Sequence, residues 1–408
     1  MKFLIGTAII TGVALLGSRI TFLRRQFGLG VKNIFFTGIE YILLGLALGV
    51  SGIGILDREM IGNFHPFLIF GLSWVGFLYG MQFEVKGLRT LPKRYFSITS
   101  IQALITFLFI SISMFLFLYF VHGHAIDRTV IISFILGIAG LSTAQSALAI
   151  VNMNFRFRNQ RLIDLLRYIA GVDGLFALLF FALFLAFTDP VSSSLASPLS
   201  VFRWVGLTIF TALIPTLIFL LMNRTRYRHE EFLLILTGII AFTGGISSYL
   251  SLSPIISGLT AGIAIANTCK YRNRALKFLN NGEKPIYIIM LIILGAGWDL
   301  NTRVNLALVA IFILFRSIGK VAGNLAGVKS FRSAFHIPGT IGFSLLSEGG
   351  LTFGIIISFI ILYPDYSAQV IPVILISAFI FELISPRLIL GFFRKTENRK
   401  PDQGKGRT

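Results

Sequence analysis

Apolar residues run along this chain in blocks of roughly twenty, each broken by a few polar or charged positions, the length a helix needs to cross hydrocarbon. Thirteen candidate spans follow from this pattern, near 3–18, 33–51, 64–84, 97–121, 130–151, 162–187, 201–222, 232–250, 254–268, 285–300, 304–327, 338–362 and 369–392. The ninth is short, and the eighth and ninth meet at 251–254, so these two also read as one re-entrant pair. The expected fold class is an all-α polytopic membrane protein.

One block stands apart. Residues 161–187 read RLIDLLRYIAGVDGLFALLFFALFLAF, with Asp173 near the middle of an otherwise apolar run. A carboxylate at that depth costs several kcal/mol unless it faces water, a partner charge or a bound ion. Asp173 is therefore either a protonated link between helices or an ion and proton site.

Composition agrees with the pattern. Mean hydropathy is +0.84, with 55% hydrophobic and 13% charged residues, outside the range of a soluble globular domain. The net charge of +19 is spread over short clusters between apolar blocks, which is a topology signal and not a nucleic-acid footprint. Basic clusters follow the odd-numbered spans: Arg19, Arg24, Arg25 and Lys32; Lys86, Arg89, Lys93 and Arg94; Arg156, Arg158 and Arg161; Arg224, Arg226 and Arg228; Lys270, Arg272, Arg274 and Lys277; Lys329 and Arg332. Loops after even-numbered spans hold at most one basic residue each, so the N-terminus is expected outside and the C-terminus in the cytoplasm of a cell (inner) membrane. The opening 1–18 resembles a signal peptide, but the basic cluster directly after it favours a retained first span. Residues 394–408 read as a short basic cytoplasmic tail, and the single Cys269 allows no internal disulfide.

Two spans are interrupted. ILGIAGLSTAQSALAI in the fifth carries Gly140, Ser142, Thr143, Gln145 and Ser146, and IGFSLLSEGGLTFGIII in the twelfth carries Ser347, Glu348, Gly349, Gly350 and Thr352. Small residues in either span alone are explained equally well by close helix packing. Their positions add meaning: with the seventh span (201–222) as a linker helix, residues 1–187 and 231–393 form two six-helix halves of opposite orientation. Each half then holds its broken helix in fifth place. Interrupted helices at matching places of inverted repeats point to a transporter site. In the eleventh span, Arg316 and Lys320 are i,i+4 and share a face. Lys320 lies near enough to an end to snorkel; Arg316 needs a partner, for which Asp173, Glu348 and Glu40 are candidates.

These residues resemble the monovalent cation/proton antiporter superfamily, particularly its bacterial cation:proton antiporter-2 branch, nearly end to end. IEYILLGLALG (39–49) is similar to the family's GE-x-L-x-G-x-x-x-G, with Ile before Glu40 in place of Gly. LSWVGFLYGMQFEVKGLR (72–89) resembles "glyvLLFlaGLEidl" with Glu84 at the acidic position, and GLSTAQSAL (140–148) resembles "sATaPaat". GVDG (171–174) falls where the family carries Asp-Asp or Asn-Asp. RSIGKVAGNLAG (316–327), GFSLLSEGGLTFGI (342–355) and FELISPRL (381–388) resemble "R-x-x-GK-x-x-G", "GlaLLpQaGvaiG" and "fElvGPxL".

The resemblance implies an elevator-type carrier, usually a homodimer in membrane lipid, that exchanges Na⁺ or K⁺ for H⁺ and uses no cofactor beyond these ions. Asp173 would bind a proton or a cation in competition. Thr143, with Ser142, Gln145 and backbone carbonyls of the fifth span, would complete an oxygen shell, and Lys320 would pair with Asp173 in the empty site. Three departures matter. Val172 replaces the first residue of the acidic pair, which favours an electroneutral one-for-one exchange. Gln145 stands where the family has Pro or Asp. Glu348 stands where it often has Gln, and either restores the missing negative charge or holds Arg316.

Other features read as structural. His122, His124 and Asp127 lack a fourth ligand for a metal and read as a solvated loop. Glu40 and Glu84 read as partners of Arg side chains, and Glu382 as a partner of Arg387. No phosphate loop, Ser/His/Asp arrangement or catalytic acid pair supports a membrane enzyme. Two rival functions stand beside the exchanger. A sodium-coupled organic-anion symporter would need a roomier polar cavity than this Phe-rich chain suggests. A non-transporting membrane subunit or sensor would hold a partner protein.

Overall fold

The computed structural model describes residues 2–19, 28–85, 93–121, 123, 125–155, 157, 160–189, 194–195, 198–222, 229–269, 271–300, 304–330 and 339–397. Its helices are α1 Lys2–Arg19, α2 Leu29–Thr37, α3 Glu40–Leu48, α4 Arg58–Asn63, α5 His65–Gln82, α6 Lys93–Phe120, α7 Ile126–Leu141, α8 Ser146–Asn154 and α9 Gln160–Phe187. They continue with α10 Pro198–Met222, α11 His229–Tyr249, α12 Pro254–Thr268, α13 Arg272–Ala296, α14 Leu306–Ser330, a 3₁₀ turn Gly339–Leu345, α15 Gly350–Leu362 and α16 Ser367–Glu397. A two-residue antiparallel ladder pairs Thr188–Asp189 with Ser194–Leu195.

Each of the thirteen predicted stretches overlaps a described helix, the twelfth only from Gly350 after a 3₁₀ turn and a break. Among the described residues, seven helices are long and apolar enough to cross a membrane, or eight when the bent pair α2–α3 is taken as one span. Three apolar helices are shorter, among them α12 at Pro254–Thr268. Most of the basic loop residues, and the tail from 398, lie outside the described residues.

Among the described residues, three spans are broken where two were expected. The interruptions at 142–145 and 346–349 are present. The third lies in the second span, where α2 and α3 meet at an angle of 61°. Gly38, at φ 79°, closes α2 in the left-handed conformation that glycine adopts without penalty. No polar cluster marks this bend in the sequence, and a glycine in an apolar run is an ordinary membrane residue.

Helices approach closely where glycines face one another, because association in lipid rests on close backbone contact and not on a hydrophobic drive. A Cβ on Gly45 of α3 would strike the backbone of Ile292 in α13, and one on Gly295 of α13 would strike the backbone of Ile42. Extensive contacts join α3 to α13, α5 to α12 and α6 to α14. The helices α1 and α13, and α5 and α11, are also in contact. The seventh span, α10, packs on α11 and α12 with its outer residues, such as Phe202 and Leu217, exposed.

Candidate functional site

The two interruptions cross in the interior. The chain leaves α7 at Ser142 in extended geometry and returns to helical geometry by Gln145, and the Ala144 amide donates to the Ser347 carbonyl at 2.9 Å. Ser142 and Thr352 share a hydroxyl–hydroxyl bond, and the Thr143 hydroxyl lies 3.2 Å from the Leu345 carbonyl. Gly349 caps α15 in extended geometry, so two half-helices, α8 and α15, begin beside the crossing.

Ending α7 at Leu141 leaves its last carbonyls without intrahelical partners and concentrates partial negative charge there. Two cations from one face of α14 take them. Arg316 donates from Nε to Gly140 O at 3.1 Å, from Nη2 to Ser142 O at 3.1 Å and from Nη1 to Leu346 O at 2.6 Å. Lys320 donates from Nζ to Leu141 O at 2.5 Å. The i,i+4 spacing read from the sequence thus becomes a clamp on both breaks.

Each cation also meets a carboxylate. Lys320 Nζ lies 2.7 Å from Asp173 Oδ2 and 2.8 Å from Thr143 Oγ1, and the Thr143 hydroxyl donates to the same Oδ2 at 2.8 Å. Arg316 Nη1 lies 3.3 Å from Glu348 Oε1, which also accepts from the Ser377 hydroxyl at 3.2 Å. Of the three partners considered for Arg316, Glu348 is the one in contact. The guanidinium further sits over the Phe381 ring, 4.6 Å from its centroid. Asp173, Lys320, Arg316 and Glu348 are all fully buried. Asp173 Oδ1 has no hydrogen-bond partner, although the Gln102 side chain of α6 lies beside the carboxylate.

The remaining predicted site residues sit further out. Ser142 turns its hydroxyl to Thr352 and its carbonyl to Arg316. Gln145 is exposed and donates to the Arg167 carbonyl at 3.3 Å. Val172 is buried. Glu84 pairs with Arg272 at 3.0 Å, as expected of an Arg partner. Glu40 opens the first turn of α3 and has no ion pair within 4 Å among the described residues, where its Oε2 is buried without a hydrogen-bond partner.

Glu382 departs from its expected role. It is fully buried, while Arg387 on the same helix is exposed. Its carboxyl is bonded by the Ser347 hydroxyl at 2.7 Å and by the Asn33 side-chain amide of α2. Five residues carry the chain about 140° past a full turn, so positions 382 and 387 face different ways, and the path of α16 against α2 and the second break sends Glu382 inward. His122 and His124 lie outside the described residues; among the described residues no group of His, Cys, Asp and Glu side chains is placed to hold a metal ion.

A cavity of about 530 Å³ reaches the crossing, and Thr143, Ser146 and Gly350 form part of its wall. Lys32 of α2, Gln82 at the end of α5, and Glu283, Lys284 and Tyr287 of α13 line it elsewhere. Sequence reasoning missed the α13 residues, Gln82, Gln102, Asn33 and Ser377, and it read Lys32 only as a topology signal and Thr352 only as part of the second break. Of those missed, Gln102 and Asn33, as polar residues in apolar spans, carried a signal.

No family model matches the sequence, and no curated protein matches it. Among solved structures, that of the sodium proton antiporter MjNhaP1 from Methanocaldococcus jannaschii at pH 8 is similar, with a TM-score of 0.65 over 96% of this chain and 98% of that one, at 15% identity. The helices, the crossed breaks and the buried charges described above are therefore carried on a fold shared, along nearly the whole chain, with a solved sodium proton antiporter.

Proposed function

We propose that this protein is a secondary active transporter that exchanges a monovalent cation, Na⁺ or K⁺, for H⁺ at Asp173. The observation that carries the reading is the fully buried Lys320–Asp173 pair at 2.7 Å, set where two broken helices cross and joined by Thr143. The fold shared with MjNhaP1 supports it.

In this reading Lys320 neutralises Asp173 while no cation is bound. A hard cation takes oxygen ligands, and Asp173 brings both carboxylate oxygens, Thr143 its hydroxyl, and Leu141 and Leu345 their carbonyls. Oδ1, which accepts no hydrogen bond, is the open acceptor. Ser142 supports this shell through its bond to Thr352, and Gln145 acts at the cavity wall. A bare buried carboxylate costs several kcal/mol, so Asp173 crosses with a cation or a proton, and competition between them couples the two flows. With Val172 beside it, one carboxylate serves one charge, and exchange is electroneutral.

Alternating access is read as elevator motion of two inverted six-helix repeats, about 1–187 and 231–393, joined by the linker helix 201–222. Paired packing supports the repeats: α3 with α13 mirrors α5 with α12 under exchange of the halves, α1 with α13 mirrors α5 with α11, and α6 with α14 maps onto itself. With the basic loops cytoplasmic, the cavity faces the cytoplasm. A homodimer in the cell membrane is the assembly this reading expects.

The test is purified protein in liposomes with an internal pH dye, to which Na⁺ or K⁺ is added. Cation-driven pH recovery that Asp173→Asn lacks, and that persists with the membrane potential clamped at zero, supports electroneutral exchange. No response to any alkali cation from correctly assembled protein overturns it. One observation favours a second reading: the polar cavity with Lys32 and Lys284 in its wall suits an organic anion, which sodium-coupled symport would carry. Sodium-dependent uptake of a labelled organic carboxylate, without cation-driven pH recovery, would select it.

A further inference from the structure

Five Asp, Glu, Lys or Arg side chains are fully buried among the described residues: Asp173, Glu348, Glu382, Arg316 and Lys320. That makes three carboxyls and two cations. Lys320 is matched to Asp173 and Arg316 to Glu348, which leaves Glu382 with neutral partners, the Ser347 hydroxyl and the Asn33 amide.

Among the described residues, the groups around Glu382 offer no further charge to balance it. Glu348, from the break, is itself acidic; Arg316, from α14, is committed to Glu348 and to the carbonyls of Gly140, Ser142 and Leu346. Tyr287 faces it from α13. On α2, Lys32 turns instead to Asn154, at 3.2 Å. Arg387 on its own helix is exposed. A carboxylate in such surroundings is less stable than the neutral acid, since desolvation of the charge costs several kcal/mol with nothing to offset it.

The neutral acid also has an outlet. Ser347 Oγ lies 3.4 Å from Ser146 Oγ, and Ser146 forms part of the cavity wall. Either hydroxyl can donate, so a chain of exchangeable protons runs from the cavity through Ser146 and Ser347 to Glu382.

We propose that Glu382 is a second proton-binding carboxyl, separate from Asp173, that holds its proton in this conformation and exchanges it with the cavity through Ser347 and Ser146. The inference does not depend on which ion, if any, Asp173 carries. Since Asn33 belongs to α2 and Glu382 to α16, the protonated side chain also joins two helices distant in sequence.

Infrared difference spectroscopy of the purified full-length protein tests this at neutral pH, through the C=O stretch of protonated carboxyls. The expected result is a band that is lost in Glu382→Gln, kept in Asp173→Asn, and shifted in Glu382→Asp, which retains the acid. Ser347→Ala should shift it as well and slow its hydrogen–deuterium exchange. Thermal unfolding gives an independent readout. Glu382→Gln mimics the neutral acid and should match wild type at acid pH, where the carboxyl is protonated both folded and unfolded, then exceed it increasingly as the pH rises past the ordinary carboxyl range, because the unfolded wild-type chain gives up this proton first. Spectra of wild type and Glu382→Gln that coincide at neutral pH overturn the proposal, as does a Glu382→Gln protein whose stability falls below wild type by the same margin at every pH. Failure of the liposome exchange assay would leave the band in place.

Discussion

Arg316 and Glu348 meet 3.3 Å apart with neither side chain exposed, and the same guanidinium holds carbonyls from both broken helices. The pair is thus a joint between α14 and the two breaks, in addition to a charge balance. Removing one member of a buried pair leaves the other uncompensated, at a cost of about 3–5 kcal/mol. Glu348→Gln should cost about that much in thermal or denaturant unfolding in detergent. Arg316→Ala should cost more, because three backbone carbonyls lose their donor together. Equal losses would mean that the carbonyl bonds contribute little.

Lys320→Ala should destabilise the protein in a pH-dependent way. At acid pH Asp173 takes a proton and no buried charge is left unpaired, so the loss is small. As the pH rises the proton must leave or stay at growing cost, and the gap to wild type widens. Added Na⁺ or K⁺ should narrow the gap if a cation can replace the ammonium beside Asp173, by about 1.4 kcal/mol for each tenfold excess over Kd. A constant gap across pH would argue against an unpaired buried charge as the origin of the effect.

Competition at Asp173 has a kinetic sign. Acidification favours the protonated carboxyl, so the KM for the cation should rise as pH falls, about tenfold per pH unit once the proton dominates, with kcat little changed. Thr143→Ala removes a hydroxyl that donates to the carboxylate at 2.8 Å and should raise KM by roughly tenfold at fixed pH, within the range for hydrogen bonds to charged groups. Initial rates of dye recovery over a cation series measure both. A KM independent of pH would sink the competition scheme.

Glycine substitutions should divide sharply by location. Gly45→Val puts a side chain into the backbone of Ile292 and should prevent α3 from packing on α13, giving little folded protein. Gly206→Ala, within α10, meets nothing within 4 Å and should be neutral or stabilising by up to about 1 kcal/mol. Yield and melting temperature of the two variants give a direct comparison.

At the surface, Glu84 and Arg272 pair at 3.0 Å with side chains 33% and 23% exposed. Exposure keeps the pair weak, so Glu84→Gln should cost less than about 1 kcal/mol. Arg272 also donates to the Met81 carbonyl at 3.2 Å near the end of α5, so Arg272→Ala should cost measurably more than Glu84→Gln in the same unfolding assay.

What the sequence by itself determined was set by solvent and by local spacing. Blocks of apolar residues place the helices, because a backbone in hydrocarbon must bond within itself. Small and polar residues at 140–146 and 347–352 mark the breaks at 142–145 and 346–349, and the i,i+4 spacing of Arg316 and Lys320 puts both cations on one face. Asp173 stood out because an isolated carboxyl in an apolar run is costly. The pairing of those groups was decided only in three dimensions. Arg316 had three candidate carboxylates and took Glu348, because the crossing of the breaks brings residue 348 alongside α14. Glu382 had a basic neighbour five positions along its own helix, yet it meets Asn33, 349 positions away, and Ser347, 35 away. The bend at Gly38 needed the structure too, since a left-handed glycine and a merely small one are the same letter. Spacing along a helix reports which side chains share a face; which face meets which depends on packing between helices far apart in the chain.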